Sequence, residues 1–125
     1  MSRVGSQFAR YASFTVDTLF RGKWKVEILY ALCSGPLRLG QIARMIPRAS
    51  KKVLTQNLRD LEAAGIVVRQ DFSDRVLHVE YDLNKNLRED ITALVGHLSQ
   101  WGETYLRDGF DKNRKEAGGS PGGGT

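Results

Sequence analysis

The chain has 125 residues, enough for one domain with a modest core and too few for a second. Its 19 Lys and Arg outweigh 14 Asp and Glu, and the formal charge of +5 favours a polyanionic partner. No apolar run reaches the roughly eighteen residues a membrane helix needs and no secretory h-region is present, which points to the cytoplasm, while the single cysteine excludes an intrachain disulfide.

The first segment carries Phe8, Tyr11, Phe14, Thr15, Leu19 and Phe20, an irregular aromatic stripe. After it, Val26, Ile28, Leu29, Ala31 and Leu32 form an apolar helix in which Cys33 reads as a small hydrophobe, with a thiol switch as the lesser alternative. A short helix over about Leu39 to Met45 turns Leu39, Ile42 and Ala43 inward and is stopped by Pro47.

Ser50 is a natural N-cap for the helix that follows. Leu54, Leu58 and Leu61 share its buried face, since they recur at helical spacing. At about 100° per residue, Lys52, Thr55, Gln56 and Arg59 collect on the opposite side, with Asp60 and Glu62 on the flanks. A charged helix face is often only solvated. Thr and Gln among the bases are instead types that read base edges, so this face points to DNA contact. A short helix, the break Ile46-Pro47-Arg48-Ala49 and a capped second helix are the pattern of a helix-turn-helix.

Gly65 closes that helix as a C′ glycine, and two strand-like runs come next. In the first, Ile66, Val68 and Phe72 share a side; in the second, Leu77, Val79, Tyr81 and Leu83 do, with Ser73-Asp74-Arg75 turning between them. A hairpin directly after a recognition helix is a wing. Arg75 at its tip is either a solvated turn residue or a contact to phosphate or a flanking groove.

Asn84 is the expected N-cap of the last helix. Leu87, Ile91, Leu94, Leu98, Trp101 and Tyr105 then repeat at steps of four and three, a heptad seam. A helix of about twenty residues extends roughly 30 Å, more than one face of so small a core, so its far half needs another partner. The N-terminal stripe supplies it, and an isologous dimer is the inference, with Phe8, Tyr11, Phe14 and the six seam residues at the contact. Residues 112–125 are charged, then Gly-rich, and read as a disordered tail behind a domain of residues 1–111.

Several ordered motifs then carry a resemblance: Gly22-Lys23-Trp24 with Ile28-Leu29, Gly35-Pro36-Leu37-Arg38-Leu39, the run Leu54 to Glu62, Ala64 to Arg69, Val79 to Leu83, and Trp101-Gly102. Over Asp17 to Leu106 the chain resembles the HxlR-type branch of the MarR-like bacterial transcription regulators. The resemblance implies a homodimeric winged-helix repressor or activator of a palindromic operator. Redox-sensing members carry a cysteine at the position Tyr11 holds here, so the resemblance removes sensing by that thiol. Asn84-Lys85-Asn86-Leu87 also departs from the usual Thr-x-x-Gly that opens the last helix.

The expected fold is therefore mainly α (α+β): a winged helix-turn-helix with a two-stranded β-hairpin wing and N- and C-terminal dimerisation helices. Lys52, Thr55, Gln56 and Arg59 address the major groove, Gln56 suited to adenine and Arg59 or Lys52 to guanine or phosphate. Ser50 and Lys51 contact the backbone at the helix start, and Arg38 and Arg75 are further phosphate candidates. The partners are double-stranded DNA, a second copy of the chain and a small-molecule effector, which Tyr11, Phe20, Trp24 and Trp101 would line unless they are plain core. No membrane partner is expected, the protein joining the nucleoid only through DNA. Phosphate-cradling loops, metal-spaced Cys/His sets and nucleophile elbows do not occur, so neither an enzyme, a metal site nor a cofactor is expected. The competing readings are a winged-helix module that binds an acidic protein surface, and non-specific architectural DNA binding.

Overall fold

The computed structural model describes residues 2–109. Its elements run α1 (Ser2–Leu19), α2 (Lys25–Leu32), α3 (Leu39–Met45), α4 (Lys51–Ala63), β1 (Val67–Asp71), β2 (Val79–Leu83) and α5 (Arg88–Arg107). The expected tail, residues 112–125, lies outside the described residues. By internal contacts the chain divides into two units, the first ending at Thr92 and the second beginning at Ala93, within α5.

The first unit holds the helix-turn-helix and the wing. Ile28, Leu29 and Leu32 of α2, Ile42 of α3, and Leu54, Leu58 and Leu61 of α4 lose all contact with solvent. Full burial of such side chains is worth about 1.5–3 kcal/mol each, so the three helices hold one another in a fixed relation. Leu39 and Ala43, expected inside, are only half-buried, and Ile46, just past α3, completes that face instead. Ser50 caps α4 as expected, its Oγ accepting from the Val53 N–H at 3.1 Å. Gly65 ends it with φ +78°, a left-handed conformation that an L side chain adopts only with strain.

The sheet is one antiparallel pair, with Val67 opposite Leu83 and Asp71 opposite Val79. Its first strand corrects the alternation read from sequence. Val67 is the buried residue, whereas Val68 and Phe72 are exposed and Ile66 is half-buried. The reason is local: the left-handed Gly65 delivers Ile66 to a turn bond with Leu61, and the strand starts one residue later, which exchanges its faces. In the second strand Tyr81 and Leu83 are buried as expected, but Leu77 is 77% exposed, because pairing begins only at Val79. The connection is correspondingly longer than the expected three-residue turn, spanning Phe72 to His78.

A second edge was not foreseen. Leu37, before α3, exchanges backbone bonds of 2.9 and 2.8 Å with Tyr81 and adds a one-residue bridge to the sheet beside β2. Asn84 departs from expectation as well. Its Oδ1 accepts from Asn86 N–H while its Nδ2 donates to the Gly65 carbonyl, so it forms a turn that ties the end of the wing to its start. α5 begins four residues on, where the Leu87 carbonyl accepts the first helical bond from Ile91.

α1 is a single helix, and of the stripe it carries Phe8, Tyr11 and Phe14 are exposed while Leu19 is buried. In the part of α5 that belongs to the second unit, Trp101 stacks on Tyr105 with ring centroids 5.0 Å apart. Leu94, Leu98 and Trp101 are exposed there. No helix among the described residues is long and apolar enough to cross a membrane.

Candidate nucleic-acid interface

α4 presents its leucine face to the core and Lys51, Lys52, Gln56 and Arg59 to solvent. Thr55 is half-buried, at the flank of the polar face rather than its middle. The flanking acid Asp60 pairs with its neighbours. Asp60 reaches onto the polar face, where its Oδ1 accepts from Gln56 Nε2 at 3.1 Å, one helical turn earlier. Its other oxygen accepts from Lys25 Nζ at 3.2 Å. These bonds, Gln56 first and Lys25 second, hold the Asp60 carboxyl below the usual aspartate range. A charged acid beside the polar face of α4 is thereby answered by a cation from α2.

Around α4 lies a wider basic surface. Arg44 of α3 and Arg48 of the turn are exposed. Lys23 Nζ and the Arg48 guanidinium both lie over the Trp24 ring, at 5.1 and 5.9 Å from its centroid. Trp24 thus meets one cation from its own segment and one from the turn of the helix-turn-helix. Local patterning carries no sign of that arrangement, because Trp24 and Arg48 are distant in the chain.

In the wing, the loop is braced from within. Ser73 N–H donates to Asp71 Oδ1 and His78 N–H to Ser73 Oγ, both at 2.8 Å, and Phe72 N–H donates to the His78 carbonyl at 2.7 Å. The Ser73 side chain first, and then its backbone N–H, lower the Asp71 carboxyl below its ordinary range. The imidazole of His78 packs edge-on against Phe72 and meets Glu80 Oε2 at 2.8 Å. Arg75, Val76 and Leu77 stand exposed at the tip.

Arg38 connects the two parts. Its backbone N–H donates to Gln41 Oε1 at 2.8 Å at the start of α3, and its guanidinium donates to the Leu77 carbonyl at 3.1 Å. The structure therefore brings Arg38 to the wing, and Lys51, Lys52, Gln56 and Arg59 together on α4, with Ser50 at its cap. Of the residues expected to line an effector site, Phe20 and Trp24 are half-buried, while Tyr11 and Trp101 are largely exposed. Cys33 lies just past α2 as its C-cap, half-buried, with Sγ donating to the Leu29 carbonyl.

Comparison with known proteins agrees with this geometry. A family model described as HxlR-like helix-turn-helix matches residues 19–110. The uncharacterized HTH-type transcriptional regulator YkvN of Bacillus subtilis (strain 168) is 37% identical over 95 residues, 76% of this chain and 80% of its own length. Among solved structures, the redox regulator HypR in its reduced form superposes with a TM-score of 0.67 at 33% identity, covering 76% of this chain and 92% of that one. The reduced form of the transcriptional regulator YodB from B. subtilis gives 0.63 at 27% identity, over 73% and 88% of the two chains.

Proposed function

Since the chain belongs to the HxlR-like helix-turn-helix family of DNA-binding transcription regulators, we propose that it acts as a homodimer that recognises an inverted-repeat operator, most simply as a repressor. The observation that carries the reading is α4 itself: a capped helix whose leucine face is wholly buried and whose opposite face offers Lys52, Gln56 and Arg59 to solvent. Such a helix enters a major groove with base-reading groups outward, while Ser50, Lys51, Arg38 and Arg75 stand where phosphates would pass.

The dimer has its own support. The single chain leaves Phe8, Tyr11 and Phe14 of α1 and Trp101 of α5 largely uncovered, with Leu94 and Leu98 partly so, and a two-fold copy supplies a cover for both. Residues 1–111 then act as one DNA-binding unit, located in the cytoplasm and without catalysis. A small-molecule effector would work by binding one spacing of the two reading heads better than another.

The test is a gel shift with a duplex spanning the protein's own promoter, across a salt series. Specific retention that weakens as salt rises is expected, with Arg59→Ala and Gln56→Ala lowering it. If neither that duplex nor bulk duplex is retained at low salt, the DNA reading fails. If binding occurs but Gln56→Ala leaves relative affinity across sequences unchanged, the protein is an architectural binder instead.

A further inference from the structure

Among the described residues Lys25 is the buried charged side chain, 9% exposed, and it sits in α2 beneath α4. A buried ammonium has to be answered by acceptors. It finds two on α4: Asn57 Oδ1 at 3.1 Å and Asp60 Oδ2 at 3.2 Å. Asn57 is held in turn, its Nδ2 donating to the Val53 carbonyl. Asp60 passes the constraint on, because its second oxygen accepts from Gln56 Nε2.

That last bond has a directional consequence. An ionised carboxylate only accepts, so the amide must turn its nitrogen, and not its oxygen, toward Asp60. Gln56 otherwise has two amide orientations and several rotamers, and binding would have to select among them at an entropic cost. With one N–H engaged, the amide still has its second N–H and its carbonyl oxygen. Adenine in the major groove offers the matching pair, an N7 acceptor and an N6 donor. Lys25 also balances the charge of Asp60, which would otherwise face incoming phosphates.

We propose that Lys25 is a specificity-determining positioning residue, which through Asp60 fixes the Gln56 amide in the orientation that reads adenine. This rests on the reading of α4 as the recognition helix. Lys25 itself touches no DNA; it acts through two residues of the neighbouring helix.

The experiment is selection from a randomised duplex pool with the full chain and its Gln56→Ala, Lys25→Met and Asp60→Ala variants, each first shown to fold by circular dichroism. Wild type enriches an inverted repeat, and Gln56→Ala loses an adenine preference at one position in each half-site. Lys25→Met and Asp60→Ala lose the preference at that same position by about tenfold, with a smaller fall in total affinity. A merely structural role for Lys25 would weaken binding at every position alike. Should Lys25→Met not fold, Asp60→Ala decides alone, since Asp60 is half exposed and its removal opens no core cavity. The proposal is overturned if either folded variant keeps the preference, or if Gln56→Ala relaxes no position. Failure of the underlying DNA reading shows separately, as a wild-type pool that enriches nothing.

Discussion

Arg88 and Asp82 form an ion pair in which the same guanidinium also donates 3.0 Å bonds to the carbonyls of Leu32 and Cys33. One side chain from the first turn of α5 thus answers the open end of α2 and a residue of β2 at once. Both partners are mostly buried, so water replaces these bonds poorly. Arg88→Ala is expected to cost about 2 kcal/mol in urea unfolding, a typical value for losing hydrogen bonds to a charged group. Arg88→Lys should recover only part of it, because an ammonium lacks the planar fork. A loss near zero for Arg88→Ala would contradict the assignment.

Acid should act on α4 through Asp60. Its carboxyl is held below the ordinary value of 3.8 by Gln56 and Lys25, so the folded state binds that proton less readily than the unfolded chain does. The stabilisation is therefore present above 3.8 and is lost as pH falls through the lowered folded-state value. Urea midpoints of wild type and Asp60→Ala are expected to differ by a constant small amount near neutral pH and to converge below 3.8. A gap that widens on acidification would falsify the sign.

Gly65 offers a test of backbone conformation alone. Its φ is +78°, yet a Cβ built there meets nothing within 4 Å. Gly65→Ala should therefore cost about 1–2 kcal/mol from the left-handed backbone and nothing from crowding. Gly65→Asn should cost less, since Asn tolerates that region better. Equal losses for the two variants would mean that the turn has opened.

Assembly can be read from mass. Leu98→Asp and Phe14→Asp each place a charge on an exposed apolar face, and neither residue belongs to the buried core. Light scattering should report a dimer for wild type and a monomer for these variants, with the helical signal preserved. An unchanged dimer mass for both would move the contact away from α1 and α5.

Much of the scaffold was legible because it obeys short-range rules. The bounds of α3, the Ser50 cap, the leucine face of α4 and the Gly65 stop each depend on residues within one or two turns of each other. The faces of the first strand were not, because a single left-handed residue before Val67 moves the start by one, and period-two alternation carries no mark of its own phase. The contacts of Lys25 with Asp60, of Trp24 with Arg48 and of Arg88 with Leu32 escaped for a different reason. Each joins residues far apart in sequence, and a lysine or arginine in an amphipathic helix has the same local pattern whether it faces water or a carboxylate.

The two tryptophans lie in separate environments, Trp24 under the cations of Lys23 and Arg48, Trp101 stacked on Tyr105 in α5. Intrinsic fluorescence of this protein is therefore a two-channel signal. Drawing Lys23 and Arg48 toward phosphate alters the emission of the first indole, and covering α5 alters that of the second. With Trp24→Phe and Trp101→Phe to separate them, changes around Trp24 and changes along α5 can be timed independently in one cuvette, without any attached dye.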